Sequence, residues 1–453
     1  MNEELQTNYE KLSFYFENRK FADLRITMLD MEPYDIAVFM EENLDQKQQI
    51  VFFRLLPKEL ASDVFIEIDS DVQECLIKAF TDKELKAVID DMFLDDTVDL
   101  IEEMPANVVK RILKTSDPDN RKQINELLKY PDDSAGSIMT TEFTSFSAKS
   151  TVAQAFDKIY STGQNKETIY TCYVTDARKH LIGVVTVKDL LFAKKDDLIE
   201  NIMEPSVITV DTLEDKEQVA LKFSNYGFIA LPVIDNEGCL VGIVTVDDAV
   251  DVIQEEATED IQKMAAIVPN EKPYLKQSIF SIWKARIPWL VLLMITSTFT
   301  SLIISGYESQ LSPVLYAFVP MLMGTAGNAG GQSSVTVIRA LALNEVEPKD
   351  VFKVIFKELL ASLLLGITIA VVCFAKLMLL DKLYDPSITI EVSLVISMVA
   401  LISVVLAKLV GCLLPILAKV VKLDPAVVAS PVMTTIVDAL SLIIYCTIAI
   451  AIL

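Results

Sequence analysis

One histidine, His180, and six cysteines with no CxxC pair leave this 453-residue chain without the ligand clusters of a zinc or iron site and without a disulfide framework. No Walker motif appears, and no nucleophile stands beside a base, so an enzyme is not expected. The N-terminal stretch MNEELQTNYEKLSFYFENRK carries no apolar run of the signal-peptide kind. Together with the unpaired cysteines, this places the soluble part in a reducing compartment. Positive charge is scarce where it would matter for nucleic acid: residues 1–283 hold 29 Lys and Arg against 54 Asp and Glu. Such a surface repels phosphate backbones and excludes a nucleic-acid partner.

What is present divides unevenly. The chain is 52% hydrophobic with a formal net charge of −24, a combination that suits neither an ordinary soluble protein nor an ordinary membrane protein. The average hides two halves, because residues 284–453 carry a net charge of +1 and residues 1–283 a net charge of −25. Apolar runs near 285–306, 313–341, 351–380, 388–420 and 426–453 are each long enough for a ~30 Å hydrocarbon core. Bases cluster before the first run (Lys284, Arg286), around the second connection (Arg339, Lys349, Lys353, Lys357) and before the fifth run (Lys419, Lys422). The alternate connections carry only Lys382, so five spans with a cytoplasmic N-terminus and an external C-terminus are expected.

The last run, AVVASPVMTTIVDALSLIIYCTIAIAIL, contains one charge, Asp438. An intramembrane acid is costly and marks an ion path unless a base offsets it. The fifth run has no base, and Lys408 in the fourth is the nearest candidate partner. The second run contains PMLMGTAGNAGGQSS (320–334), whose small residues suit either a close helix contact or a pore lining. Pro415 and Pro431 read as tolerated kinks. Carboxylate, amide and carbonyl oxygens without thiolate or imidazole suit a hard cation. A largely hydrated Mg²⁺ needs only one or two carboxylates. On a two-fold axis, two copies of Asp438 would face one ion.

In the soluble half an internal repeat is visible. IGVVTVKDLL (182–191) matches VGIVTVDDAV (241–250), and IMTTEFTSF (138–146) loosely matches IMEPSVITV (202–210). Each copy reads as strand, helix, then strands ending in G-h-h-T-h-x-D. This resembles a tandem pair of CBS domains, which implies that Thr186, Asp189, Thr245 and Asp248 can contact a nucleotide such as ATP. Modules that act only as levers are the other reading. Residues 1–130 show helical patterning that suggests short amphipathic helices stacked as a superhelix, studded with acids from Asp63 to Glu103. After the repeat, DDAVDVIQEEATEDIQKMAAIVP (247–269) sets Asp248, Asp251, Glu255 and Glu259 on one helical face, flanked by Glu256 and Asp260. Like charges at that spacing invite divalent countercharge.

Taken in order, these features resemble the MgtE family of magnesium channels and transporters over almost the whole chain. EEATED (255–260), PMLMGTAGNAGGQSS and DPAVVASPVMTTIVD (424–438) carry the resemblance. It implies a multidomain α-helical membrane protein and a homodimer in the cytoplasmic membrane. Its parts would be an all-α superhelical N domain (1–130), an α+β tandem CBS pair (131–250), a long connecting helix (251–280) and a five-helix transmembrane domain (281–453). Asp438 would hold hydrated Mg²⁺ in the pore, with Asp424 at the cytoplasmic mouth and Asn328 in the lining. Asp63, Asp95, Asp99, Glu217, Asp248, Asp251, Glu256 and Glu259 match the acids that bind regulatory Mg²⁺ and shut the pore. Asp91 or Asp96 can substitute within the N domain, and Gly227 stands where some members have an acid. The function implied is Mg²⁺ import gated by cytosolic Mg²⁺, with membrane lipid and a second copy as partners. The alternatives are transport of Mn²⁺ or Co²⁺, or a membrane-tethered metal or nucleotide sensor without transport.

Overall fold

Helix-start signals recur with a fixed spacing in the first part of the chain. In the computed structural model, which describes residues 3–270, 272, 274–307, 310–429 and 431–453, each signal opens a short helix. The chain divides into two compact units, residues 1–253 and 254–453, and the division falls inside one helix.

The first unit begins with α1 (Glu3–Glu17), α2 (Phe21–Leu29), α3 (Pro33–Asn43), α4 (Gln46–Phe53) and α5 (Lys58–Ile66). It continues with α6 (Ser70–Ala79), α7 (Asp82–Ile89), α8 (Leu94–Glu103), α9 (Ala106–Thr115) and α10 (Pro118–Leu127). From α5 to α10 the starts fall 12 residues apart, a repeat in which each helix buries one face against its neighbours. Reciprocal caps open several of them: Asp45 with Gln48 before α4, and Thr81 with Glu84 before α7. Proline at the first position starts α3 and α10, where its missing N–H costs nothing. The core is aromatic, with Phe53 5.8 Å from Phe65 and 5.3 Å from Phe80, ring centre to ring centre. Arg111 of α9 clamps the end of α6 and the start of α7, donating to the Phe80 carbonyl at 2.6 Å and pairing with Asp82 at 2.9 Å.

Two modules of identical topology follow. In the first, β1 (Ser145–Ser147), α11 (Val152–Thr162), β2 (Thr171–Thr175), β3 (Leu181–Thr186) and α12 (Val187–Phe192) follow one another. In the second, β4 (Val210–Asp211), α13 (Lys216–Tyr226), β5 (Ala230–Ile234) and β6 (Leu240–Thr245) lead into α14 (Val246–Met264). Each sheet pairs its first two strands in parallel and its last two antiparallel, with a bulge at Val174/Thr175 and at Val233/Ile234. The loosely matching IM motifs have a structural cause. A Cβ on Gly183 would lie 2.6 Å from the sulfur of Met203, and one on Gly242 would lie 2.7 Å from that of Met139. Each module's methionine therefore seats on the other module's glycine. The helical core and the second module share one apolar cluster, with Val219, Val244 and Val252 joining Leu94, Val98 and Ile101. Gly227 takes a left-handed φ of 67° that ends α13, so the helix cap accounts for glycine at this position.

The second unit begins within α14, at Gln254, and contains α15 (Ile279–Tyr307), α16 (Pro313–Tyr316) and α17 (Val319–Ala342). Then α18 (Val351–Lys376) runs through a π turn (Leu377–Asp381) into α19 (Lys382–Tyr384). It closes with α20 (Ile390–Val420), α21 (Pro425–Ala429) and α22 (Pro431–Ile452). Among the described residues four helices are long and apolar enough to cross a membrane: 279–307, 348–384, 390–420 and 432–452. The Gly-rich α17, at 24 residues and about 36 Å, has the length but not the apolar composition. It sits against α20 and α22 and buries Ala326, Gly330 and Ser333 there. Leu290, Met294 and Phe299 of α15 and Leu364, Val371 and Val372 of α18 remain outward, a surface suited to hydrocarbon. Pro415 lies inside α20, while α21 ends at Ala429 and α22 is described from Pro431, so the expected kink at Pro431 borders a residue outside the described ones.

Candidate ion path and regulatory acids

The Gly-rich segment is helical throughout, and its glycines divide the two roles that the sequence left open. Gly330 makes the close helix contact: a Cβ there would stand 2.8 Å from the Met433 sulfur and 3.0 Å from the Ala407 carbonyl. A Cβ on Gly411 would overlap the Gly330 carbonyl, so α17 and α20 meet glycine on glycine. One turn earlier, Gly327 faces the acid instead. A Cβ placed on it stands 3.7 Å from Thr434 and 3.9 Å from an Asp438 carboxylate oxygen. Asp438 is half-buried on α22, and Asn328, the next residue on α17, is exposed.

Among the described residues, Asp438 makes no ion pair. Lys408 is not its partner. Its ammonium lies 3.2 Å from Glu358 of α18 and donates to Ser333 of α17 at 2.8 Å, and the Ser333 hydroxyl donates to Glu358 at 2.5 Å. The lysine is thereby neutralised within its own three-helix contact. Glu358 lies inside the third apolar run as its one acid, beside Lys357 and near Lys353, and went unread.

At the start of α21, Asp424 is half-buried and accepts the Ala426 N–H at 2.8 Å. Lys263, on the last turn of α14, bridges it to Glu259, at 2.7 Å from Asp424 and 2.8 Å from Glu259. These two acids push the Lys263 ammonium upward against the opposing effect of burial. Asp260 is held above the usual carboxylate range by burial and then by the Asp424 charge. Met264 packs on Ile338 and Ala426, and the Val268 N–H donates to the Ala285 carbonyl at 2.9 Å. The end of α14 is therefore fastened to α15, α17 and the start of α21. Lys263 was missed in the sequence, although its i+4 spacing from Glu259 was legible.

In the first unit, acids converge from α8, the first module and α14. Asp95 is 9% exposed, and one of its carboxylate oxygens has no hydrogen-bond partner. Burial, then Asp96, Asp248 and Glu167, raise its carboxyl far above the usual range. Asp96 and Glu167 are both pushed up to about 7, by burial first and then by the neighbouring acids Asp247, Asp248 and Glu142. Asp248 is pushed up to about 6, chiefly by burial. Glu142 accepts the N–H of Leu94 at 3.2 Å and ties α8 to the first module. Around α5, burial and Asp91 raise Asp63, and burial and Asp251 raise Glu67. Among the described residues no three of these groups form a ready-made metal cluster. Hard oxygen donors around an orphaned buried carboxylate nevertheless fit a Mg²⁺ ion that keeps several waters. Of the expected regulatory acids, the structure gathers Asp95 and Asp248 here and sets Asp63 and Asp251 beside other acids. It places Asp99 on an exposed face of α8, Glu217 on the first turn of α13, and Glu256 and Glu259 in the second unit. Glu142 and Glu167, ordinary loop acids in the sequence, were not anticipated.

The two G-h-h-T-h-x-D corners are built alike. Thr186 donates to Asp189 and Thr245 to Asp248, each at 2.5 Å; the Thr186 pair forms a full helix-capping box, and the Thr245 N–H also donates to Asp248 at 3.3 Å. Thr186 is half-buried and Asp189 exposed, whereas Thr245 is buried and Asp248 belongs to the acidic cleft.

Comparisons with known proteins agree with this organisation. Residues 319–448 match the family described as MgtE, divalent cation transporter; residues 31–133 match the MgtE intracellular N domain; residues 135–196 and 199–255 match CBS domains. The chain is 36% identical over 432 residues to the magnesium transporter MgtE of Thermus thermophilus, covering 94% of each. It is 31% identical to that of Bacillus subtilis, covering 95% of this chain and 94% of the relative. The crystal structure of the cytosolic domain of the Mg²⁺ channel MgtE in complex with ATP superposes with a TM-score of 0.51 at 32% identity, covering 54% of this chain and 99% of that one.

Proposed function

The chain belongs to the MgtE family of divalent cation transporters, and we propose that it imports Mg²⁺ as a homodimer through a pore lined by Asp438. The observation that carries this reading is Asp438 itself, an intramembrane acid set against Gly327 of the Gly-rich helix with no base paired to it among the described residues. Such a carboxylate is stable in an apolar layer when a cation shares its field. Two copies across a dimer axis double the negative potential and favour a divalent ion. Asn328 adds a neutral oxygen, and α17 is the fifth span, shielded from lipid by α20 and α22. The N-terminal half lies in the cytoplasm and the C-terminus outside, in agreement with the distribution of Lys and Arg.

Gating follows from the same electrostatics. The cleft formed by Asp95, Asp96, Asp247, Asp248, Glu142 and Glu167 concentrates like charge that packing alone does not offset. Bound Mg²⁺ supplies the missing positive charge, and the acids at Asp63, Asp99, Glu217, Asp251, Glu256 and Glu259 extend this countercharge along the soluble half. At high cytosolic Mg²⁺ the acidic modules pack and α14 holds the mouth at Asp424. At low Mg²⁺ their repulsion favours the open arrangement, a population shift driven by differential ion binding. ATP occupies the outward Thr186–Asp189 corner and biases the same equilibrium. Loss of ATP binding in Asp189→Ala, with binding retained in Asp248→Ala, tests that placement. The transport assignment is tested by growth of a Mg²⁺-uptake-deficient bacterium on limiting Mg²⁺. Wild type is expected to rescue, while Asp438→Ala and Asp438→Asn cut uptake roughly a hundredfold. Rescue by both variants as by wild type overturns the pore assignment.

A further inference from the structure

We infer that Glu358, Lys408 and Ser333 form a positioning lock that holds the Gly-rich helix beside Asp438, so that ion passage needs the charge pair intact. Three helices contribute one group each: α18 gives Glu358, α20 gives Lys408 and α17 gives Ser333. All three are withdrawn from the surface, the lysine side chain to 7% exposure and the glutamate to 17%, and Ser333 is buried. The serine hydroxyl donates to the carboxylate and accepts from the ammonium, so both of its hydrogen-bonding capacities are used inside the triad.

The position of this triad gives it a consequence for transport. On α17 the same helix carries Gly327 against Asp438, Gly330 against α20, and Ser333 in the triad, at successive three-residue steps on one side. Ser333 therefore lies about 9 Å along the helix from the acid's level. The Gly330–Gly411 contact is a close backbone approach that contributes no side-chain hydrogen bond or charge to fix the register. A charged hydrogen-bonded contact has one geometry. It sets the register of α17, and through it the wall that faces Asp438. The pair is neutral as a unit, whereas removal of either partner strands a charge in an apolar layer and drives the helices to rearrange.

The inference rests on the reading of Asp438 as the ion site, and the experiment separates the two. Full-length protein is reconstituted in liposomes, and Mg²⁺ flux is measured per correctly folded channel, with folded protein quantified by size-exclusion chromatography. Wild type that passes no Mg²⁺ sinks the transport reading. With wild-type flux established, Glu358→Gln and Lys408→Met are each expected to lose roughly tenfold or more. The double variant Glu358→Gln/Lys408→Met is expected to recover most of that loss. Ser333→Ala, which keeps both charges, is expected to fold normally and to raise the half-saturating Mg²⁺ concentration about threefold. A structural prop alone would leave that concentration unchanged in folded channels. Should the single charge variants fail to fold, Ser333→Ala and Lys408→Arg carry the test. Wild-type flux in both single variants overturns the lock, as does a double variant no better than the worse single. Loss with Lys408 variants alone, Glu358→Gln being unaffected, also overturns it and assigns Lys408 to the ion path.

Discussion

Two acidic sites in this molecule solve the same electrostatic problem in opposite ways. In the cleft of the first unit, burial and then neighbouring acids raise the carboxyls of Asp95, Asp96, Asp248 and Glu167, and one oxygen of Asp95 is left without a partner. In the second unit, Glu259 and Asp424 are just as close in kind, but Lys263 stands between them and bridges both. In the first site the acids outnumber the one base near them, Lys166 beside Glu142, and under the proposed gating an ion from solution makes up the balance, while the other carries its own cation on a four-carbon stem. Under the proposed gating, the difference suits the cleft to sensing, its packing following the ion concentration, and the mouth to holding, its internal ion pair fastening the end of α14 until the acidic modules separate.

Exchanging the two arrangements should exchange the behaviours. Lys263→Glu turns the mouth into a second cleft of unpaired acids. At micromolar Mg²⁺ the open probability of single channels in lipid bilayers is expected to rise roughly tenfold, from a lost ion pair and an added repulsion. Closure should then require millimolar ion. Unchanged open probability at low Mg²⁺ would show that Lys263 holds nothing. The reverse exchange, Asp96→Lys, gives the cleft an internal cation. Limited proteolysis of the full-length protein in EDTA is expected to slow about fivefold, and added Mg²⁺ should no longer protect. Protection by Mg²⁺ equal to that of wild type would place the sensing ion elsewhere.

How far the sequence alone reached differs between these sites for a physical reason. Asp438 was legible because its background is uniform, and one carboxylate among isoleucines and leucines stands out at any register. Glu358 was obscured by Lys353 and Lys357 beside it, and only the fold shows that it is paired with Lys408, since α18 and α20 approach in space and not in sequence. The repeat, the succession of strand, helix and strands in each copy and both Thr–Asp corners followed from local pattern, because turn chemistry and capping are local. The acids of the cleft did not. Within a soluble half of net charge −25 nearly every helix carries acids, so composition does not say which ones face inward. Asp95 is buried and Asp99 exposed on the same helix, four residues apart, and that distinction comes from the packing of α8 on the second module. Glu167 lies in an ordinary loop, and its role depends on where β2 begins.

Proton competition gives the mildest way to sharpen the contrast. Asp96 and Glu167 titrate near 7 and Asp248 near 6 in the packed state, all above the ordinary carboxylate range of about 4. The packed cleft therefore holds protons that a separated cleft releases, and without divalent ions its packing weakens as pH rises from about 4 through 7. Cation binding must displace those protons, so the apparent Mg²⁺ affinity of the cleft should increase with pH. Between pH 6 and pH 7 the Mg²⁺ concentration giving half-maximal protection from proteolysis is expected to fall about threefold, and the fall should flatten above pH 8. In EDTA the order reverses, with faster cleavage at pH 8 than at pH 6. The mouth offers the control, because its lysine stays charged across this range and its acids are already paired. In Asp96→Lys, which gives the cleft the same arrangement, the pH dependence should largely vanish. A half-maximal concentration that stays constant from pH 6 to pH 8 in wild type would mean that the ion binds away from Asp95, Asp96 and Glu167.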